Sequence, residues 1–112
     1  PLFRFCFNRE NYTDPNPYGA NLNQLFDLLH TKVPPTGFGH GSIGQGMDQV
    51  NGRALCSGDV NPTNCMSCVV EATKKLQERR PKKKGAIVWY DNCLLKYSNE
   101  YFFGEIDENN KF

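Results

Sequence analysis

Apolar residues recur with two different periods in the first third of this chain, and each period predicts its own type of element. Leu2–Phe7 alternates large apolar residues with others, which is typical of a short strand. From Asn21 to Lys32 the apolar residues follow helical spacing, and Asn21 is the candidate capping residue. Pro34-Pro35 is expected to end this first helix. Its apolar stripe comprises Leu22, Leu25, Phe26, Leu28 and Leu29.

Two strands and a second helix are predicted for the middle of the chain. The glycine-rich segment Thr36–Gly46 is interpreted as an interrupted strand followed by a turn, and Gln49–Cys56 as a further strand. The second helix is expected over Pro62–Arg79, because Asn61 supplies a capping side chain and proline suits the first helical position. The residues predicted to be buried on this helix are Cys65, Cys68, Val69, Ala72 and Leu76.

The C-terminal third completes the predicted fold. Ala86–Tyr97 is the most β-like stretch and is predicted to form one long central strand, and Tyr101–Gly104 is a candidate last strand. Short connections favour antiparallel pairing, so we expect an α+β fold in which a five-stranded antiparallel sheet carries both helices on one face. The 112 residues suit a single domain, residues 1–112.

Composition indicates an extracellular setting. Five cysteines in so short a chain favour disulfides, and the odd number leaves one thiol free or paired outside the chain. Asn11 begins an N-glycosylation sequon, Asn11-Tyr12-Thr13. No signal peptide is present and Pro1 is not an initiator, so we expect a mature or excised form. A net charge of +1 and the lack of a long apolar run predict neither nucleic-acid binding nor membrane insertion.

Three of the cysteines lie within thirteen residues around the start of the second helix. Cys65 and Cys68 are spaced so that they can tie this helix to two different neighbours, the segment ending at Cys56 and the segment around Cys93. Four thiols also suit a zinc site, but such sites usually have two close pairs and only one is present here. Redox catalysis by Cys-x-x-Cys normally requires a parallel α/β fold. We therefore expect disulfides and no metal or cofactor.

The remaining polar groups offer little catalytic chemistry. His30 and His40 are the only histidines, and neither has a nucleophile at a suggestive spacing, so no catalytic residue is predicted. A basic run at the end of the second helix is a possible anion-binding patch, although a solvated helix terminus and turn is the favoured interpretation. This patch comprises Arg79, Arg80, Lys82, Lys83 and Lys84.

Two motifs stand out, Cys-x8-Cys-x2-Cys, ending at Cys68, and the run Trp-Tyr-Asp-Asn-Cys-Leu-Leu-Lys-Tyr, which contains Cys93. Both resemble the plant salt-stress-response/antifungal domain, the ginkbilobin-like module of cysteine-rich receptor-like kinases and secreted relatives. The resemblance implies two helices on a five-stranded antiparallel sheet. It also implies disulfides Cys56–Cys65 and Cys68–Cys93. The family's partner of Cys6 falls on Arg80, so Cys6 is expected to be a free thiol.

The resemblance also locates a sugar site. The founding ginkbilobin-type member binds mannose through an Asn, an Arg and a Glu, and the matching positions here are Phe7, Ile87 and Ser98. None of the three keeps its polar type, so mannose binding through this site is expected to be lost.

Together these observations predict an extracellular, non-enzymatic recognition module of a plant cysteine-rich receptor-like kinase or a secreted relative, acting in stress or defence signalling. The alternative is a secreted mannose-binding antifungal lectin. The expected partner is a second module of the same family or another receptor ectodomain, because the helices cover only one face of the sheet and leave aromatic residues on the other.

Overall fold

A computed structural model describes residues 10–12, 16–78 and 82–101, together with the backbone of residues 3–5. Two α-helices, one short 3-10 helix (Gly46–Asp48) and seven strands are present in this part of the chain. The helices are α1 (Pro17–Thr36) and α2 (Pro62–Gln77). The strands are β1 (Phe3–Phe5), β2 (Asn11–Tyr12), β3 (Phe38–Ile43), β4 (Val50–Cys56), β5 (Lys82–Lys83), β6 (Gly85–Tyr90) and β7 (Cys93–Ser98).

The strands form two antiparallel sheets. Five of them pair in the order β1-β6-β7-β4-β3, and β2 pairs separately with β5. The α+β class and the antiparallel pairing are confirmed, but the expectation of a single sheet was incomplete. The second sheet escaped prediction because each of its strands has only two residues, which is too short to show any periodicity.

Both helices begin at an Asn-Pro pair. The Asn61 side chain accepts a hydrogen bond from the backbone N–H of Asn64 (2.8 Å), and the predicted start of α2 is confirmed. In α1 the Asn16 side chain accepts from the N–H of Tyr18 (2.7 Å), so the predicted start at Asn21 was wrong. Asn21 instead donates its side-chain amide to the Asp48 carbonyl (2.9 Å), which anchors the loop between β3 and β4.

The end of α1 also differs from the prediction. The helix continues through Pro34 and Pro35 to Thr36, although neither proline has an N–H to donate within the helix. Gly37 then adopts a left-handed conformation (φ 82°), and its N–H donates to the Val33 carbonyl (2.6 Å). The glycine, rather than the prolines, ends the helix.

The predicted long strand Ala86–Tyr97 is a hairpin. β6 and β7 pair antiparallel up to Tyr90 and Cys93, so the two residues Asp91 and Asn92 form the turn. Two polar residues between two apolar runs are a hairpin signal, which the continuous β-propensity of the stretch concealed. Of the predicted last strand, Tyr101 is not in a strand, and residues 102–104 lie outside the described residues.

The two helices lie on the same side of the five-stranded sheet. Leu25 of α1 lies over Gly52, and a disulfide joins Cys65 of α2 to Cys56. Gly52 and Cys56 are an even number of residues apart on β4, so they point to the same face. The opposite face carries no helix in the described part of the chain, and we call it the open face.

Glycines allow α1 to approach the sheet closely. Gly41 on β3 and Gly52 on β4 are cross-strand partners beneath this helix. A Cβ atom on Gly52 would lie 2.6 Å from Leu25 Cδ2, closer than packed carbon atoms tolerate. The core between the sheet and the helices is therefore thin at this point, and the fully buried Leu25 fills it.

The edge strand β3 contacts one lysine of α1. Lys32 Nζ donates to the His40 carbonyl at 3.1 Å. Within the described residues β3 pairs only with β4, so this carbonyl belongs to a strand at the edge of the sheet. The lysine ammonium therefore partly covers the backbone of the outermost strand.

Candidate functional site

Two disulfides fix α2 to the sheet. Cys56 is bonded to Cys65 with a Cα–Cα distance of 5.7 Å, and Cys68 to Cys93 with 6.1 Å. These are the same pairs that the family resemblance implied. Cys6 lies outside the described residues, so its free thiol stays a prediction. Within the described part of the chain, no group of three His, Cys, Asp or Glu residues is arranged to hold a metal ion.

Strand register arranges the open face in three cross-strand rows. Residues at matched positions of neighbouring antiparallel strands lie side by side, so each row runs across β6, β7, β4 and β3. The apolar row is Trp89, Leu94, Leu55 and Phe38. The basic row is Ile87, Lys96, Arg53 and His40. The polar row is Gly85, Ser98, Asn51 and Ser42.

The apolar row leaves hydrophobic surface in contact with solvent. Phe38 is 46% exposed at one end of the row, whereas Leu94 in the middle is only 6% exposed. Leu55 and Trp89 are half-buried. On β1, the backbone of Phe3 pairs with Trp89, so an aromatic position continues the same register to the other edge of the sheet. A row of this kind, without a helix over it, is typical of a surface that contacts another protein.

The basic row places like charges directly opposite one another. Arg53 pairs with Lys96 across β4 and β7, and His40 pairs with Arg53 across β3 and β4. None of the open-face positions on β3, β4, β6 and β7 is an acidic residue. The register therefore brings two permanent positive charges, those of Arg53 and Lys96, to neighbouring positions of this face.

The polar row is occupied by its own hydrogen bonds. The fully buried Asn51 accepts from the Ser42 hydroxyl (2.7 Å) and donates to the Ser98 carbonyl (3.3 Å). The Ser98 hydroxyl accepts from the Glu100 N–H at 2.9 Å and is itself only 3% exposed. The side chains of Asn51 and Ser98 thus make hydrogen bonds within the fold rather than with an external ligand.

The structure brings two of the three family sugar-site positions to the open face. Ile87 lies in the basic row and Ser98 in the polar row, whereas Phe7 lies outside the described residues. Ile87 offers no hydrogen-bonding group, and the hydroxyl of Ser98 is already engaged. The geometry thus shows no free sugar-binding group at these two positions.

The predicted anion-binding patch is partly committed within the fold. Lys84 Nζ lies 3.9 Å from a carboxylate oxygen of Glu10 and 5.3 Å from the ring centroid of Tyr18. Lys82 Nζ donates to the Gln77 carbonyl (3.2 Å) at the end of α2. Lys83 is half-buried, and Arg79 and Arg80 lie outside the described residues. Anion binding at this patch stays a prediction.

Lys84 also belongs to a buried polar contact. The hydroxyl of the fully buried Tyr18 donates to the Lys84 carbonyl at 2.8 Å. Burial raises the pKa of this phenol far above its usual value, and the nearby Tyr97 and Tyr12 raise it further. Tyr18 is therefore a neutral structural donor rather than an acid or base.

The two histidines are far apart in the fold. His30 Nε2 lies 2.8 Å from the hydroxyl of Thr73 and joins α1 to α2. Because the Thr73 hydroxyl already donates to the Val70 carbonyl (2.9 Å), His30 donates its Nε2–H. Burial lowers the pKa of His30, and the Asp27 carboxylate partly opposes this effect. His40 belongs to the basic row, so the histidines do not form a joint site.

The glycosylation acceptor is accessible. Asn11 is exposed on β2, and Thr13 of its sequon lies outside the described residues. Modification of Asn11 stays a prediction.

Sequence reasoning missed the basic row and the alignment of the apolar row. Lys96, Arg53 and His40 are far apart along the chain, and only the pairing of β3, β4 and β7 brings them together. The alternation of polar and apolar residues along each strand was the available signal, but the order of the strands was needed to convert it into a surface.

Comparisons with known proteins agree with this architecture. The pattern of the family described as salt stress response/antifungal matches residues 5–100. An antimicrobial ginkbilobin-2-like protein of Castanea crenata is 63% identical over 112 residues, which is all of this chain and 46% of the relative. Cysteine-rich repeat secretory protein 38 of Arabidopsis thaliana is 48% identical over 99% of this chain and 44% of its own length.

A solved structure shows the same fold. The tandem DUF26 ectodomain of the Arabidopsis thaliana cysteine-rich receptor-like protein PDLP5 superimposes with a TM-score of 0.81 at 25% identity, over 91% of this chain and 51% of that one. The chain thus spans about half the length of these curated relatives. No helix in the described residues is long and apolar enough to span a membrane. The secretory and receptor relatives place the chain among extracellular proteins, and it belongs to the salt-stress-response/antifungal (DUF26) family.

Proposed function

We propose that this chain is a non-catalytic extracellular recognition module that works in tandem with a second module of the same family, in plant stress or defence signalling. Its relatives include a secretory repeat protein and cysteine-rich receptor-like protein kinase 26, of which the match covers 16%. The PDLP5 ectodomain is a tandem, and this chain covers 51% of it. These lengths support one module of a pair.

The observation that carries this proposal is the apolar row on the open face, which ends in the exposed Phe38 and includes the half-buried Leu55 and Trp89. Phe38 is 46% exposed there, and the row extends across four strands beside it. Contact with a second module removes this surface from water, and apolar surface contributes about 25 cal/mol per Å² that is buried. The open face is therefore the docking surface for the second module in this proposal.

A tandem chimera tests the docking. In this chimera the chain replaces the half of the tandem PDLP5 ectodomain that it superimposes on, and the other half supplies the second module. Phe38→Asp is compared with Met66→Asp, because both side chains are 46% exposed but Met66 lies on α2.

We expect Phe38→Asp to separate the thermal unfolding of the chimera into two transitions, because the halves lose their coupling. Met66→Asp should leave one transition. Equal behaviour of the two variants, or two transitions in the unmodified chimera, would contradict docking through the open face.

The second candidate function is antimicrobial action as a free secreted protein. It is favoured by the name of the 63% identical relative. Growth inhibition of fungal cultures by the purified chain tests it. In this candidate, too, the absence of free polar groups on Ile87 and Ser98 supports action without mannose, so added mannose is expected not to relieve the inhibition.

A further inference from the structure

We propose that a cleft between α2 and the β6–β7 hairpin binds one uncharged pyranose ring of a saccharide. The cleft has a volume of about 220 Å³ and lies on the side of the sheet that carries the helices. This inference gives the recognition module a class of ligand, but it does not depend on docking through the open face. The cleft is also separate from the family sugar site, because Ile87 and Ser98 lie on the open face.

One wall of the cleft is a polar stripe of α2. Its residues are spaced i, i+3, i+4 and i+7, so they share one face of the helix. Asn64 and Ser67 are exposed, Glu71 is half-buried and Cys68 is buried. An amide, a hydroxyl and a carboxylate therefore line this wall, and together they can both donate and accept hydrogen bonds.

The other wall is the end of the hairpin, formed by Tyr90, Asp91 and Asn92. Tyr90 is the cross-strand partner of Cys93, which is bonded to α2, so the Tyr90 side chain lies on the helix side of the sheet. Tyr90 is half-buried and packs partly against the core. Its ring thus supplies a flat apolar surface in a polar cleft, and the C–H groups of a pyranose ring can pack on such a surface.

The two walls are held in place without a ligand. The Cys68–Cys93 disulfide joins them, with a Cα–Cα distance of 6.1 Å. The Asn92 carbonyl accepts a hydrogen bond from the Ser57 N–H (2.9 Å), which fixes the hairpin turn. This bond uses the backbone of Asn92, so it does not consume the side-chain amide. A preformed cleft spares a ligand the cost of ordering its own site.

The lining selects against anionic and apolar ligands. None of the described residues that line the cleft is Lys, Arg or His, so an anion finds no cation there. Only Tyr90 and the disulfide offer apolar surface, so a lipid would bury the surrounding polar groups without partners. Glu71 and Asp91 accept hydrogen bonds, and sugar hydroxyls are uncharged donors that suit them. Asp91 makes a contact within the chain, but a carboxylate has about four acceptor sites, so one contact does not exhaust it.

The size of the cleft limits how much of a ligand it holds. Its volume of about 220 Å³ is below the roughly 300–1,000 Å³ of sites for drug-sized molecules. Asp91 and Asn92 are exposed, so the cleft opens to solvent at the hairpin turn. One ring of a longer saccharide can therefore enter, while the neighbouring rings stay outside.

NMR titrations of the ¹⁵N-labelled chain test this site. The neutral probes are cellotriose, mannotriose and tri-N-acetylchitotriose, which distinguish glucan, mannan and chitin as sources, and a galacturonic acid trimer is the anionic control. We expect at least one neutral saccharide to shift the amide signals of Ser67, Glu71 and Asn92, with a dissociation constant on the order of 1 mM. The anionic trimer should bind at least about tenfold more weakly.

Two variants at neighbouring positions of α2 separate the cleft from the rest of the helix surface. Ser67→Trp fills the cleft, whereas Met66→Trp places the same side chain at an exposed position outside its lining. We expect Ser67→Trp to weaken binding by about tenfold or more, and Met66→Trp to change it by less than about twofold. Glu71→Ala removes atoms rather than adding them, so it tests the site even if Ser67→Trp fails to fold. It should weaken binding by about fivefold.

The outcomes that would overturn the site are distinct. No shift with any neutral saccharide at about 10 mM would do so, whatever the chimera shows about docking. Shifts confined to the signals of Ile87 and Ser98 would place the saccharide on the open face instead. Equal binding of the galacturonic acid trimer, or equal affinity of Ser67→Trp and the unmodified chain, would contradict the geometry of the cleft. Shifts produced only by a lysine-containing peptide would show that the cleft holds a cationic side chain and that the saccharide assignment is wrong.

Discussion

Removal of the Cys68–Cys93 disulfide should destabilise the fold more than removal of the Cys56–Cys65 disulfide. Each bridge is replaced in turn by a pair of alanines, so that neither of its cysteines remains as a free thiol that could exchange with Cys6. The bridges close chain segments of 25 and 9 residues, respectively. The loss of loop-closure entropy in the unfolded chain then amounts to about 3.5 kcal/mol for the longer segment and about 2.6 kcal/mol for the shorter one.

Packing widens this difference. Both sulfurs of the longer bridge are buried, with Cys68 5% and Cys93 2% exposed, and they connect α2 to β7 inside the sheet. In the shorter bridge Cys65 is buried but Cys56 is only half-buried. Replacement by alanine therefore removes more buried contacts at Cys68–Cys93 than at Cys56–Cys65. We expect the free energies of unfolding of the two variants to differ by at least about 1 kcal/mol.

Urea unfolding, followed by the fluorescence of Trp89, measures this difference, because Trp89 is the single tryptophan and lies in the sheet. The midpoints are compared at equal slope, since a changed slope would report a changed unfolded state. The reasoning would be refuted by equal free energies of unfolding for the two variants, or by a larger loss in the variant without Cys56–Cys65.

Two further predictions concern packing and pH. Gly52→Ala should lower the free energy of unfolding by about 1–3 kcal/mol, because its Cβ would overlap Leu25. Gly58→Ala is the control: no atom lies within 4 Å of its Cβ, so it should change the free energy of unfolding by less than about 0.5 kcal/mol. Equal thermal stabilities of the two variants would contradict this packing. The pKa of His30 is lower in the folded chain than its usual 6.5, so the unfolded chain binds more protons between these two pKa values. The free energy of unfolding should therefore decrease as the pH falls below about 6.5, and the contribution of His30 should be fully present above that pH. Thermal unfolding between about pH 5 and 7.5 should show this decrease, and His30→Gln should reduce it; an unchanged pH profile would show that His30 does not cause it.

The sequence was most informative where one signal was both local and strong. Asn61-Pro62 located the start of α2 because a capping side chain and a proline act within one helical turn. The same pair at Asn16-Pro17 starts α1, but the apolar stripe begins only at Leu22, so the apolar period predicted the start at Asn21 instead. The Asn-Pro pair thus marks the start of both helices, whereas the apolar period predicted the wrong start for α1.

The open face illustrates what the sequence alone could not provide. Leu55 and Leu94 are neighbours only because β4 pairs with β7, which is a contact between distant parts of the chain. The hairpin turn at Asp91-Asn92 had to be recognised first, since one long strand in place of β6 and β7 would shift every partner. The family resemblance supplied the class of fold, but the rows depend on the register of individual residues.

The lysine over the outermost strand has a consequence for assembly. An uncovered strand edge invites strands of other molecules to add to the sheet, which leads to open-ended aggregation. Lys32, bonded to the His40 carbonyl, places a hydrated charge where such an added strand would have to lie. Growth by strand addition at β3 is thereby discouraged, whereas stacking onto the open face is unaffected. At the β3 edge the sheet therefore resists the extended fibres that an unguarded strand would seed.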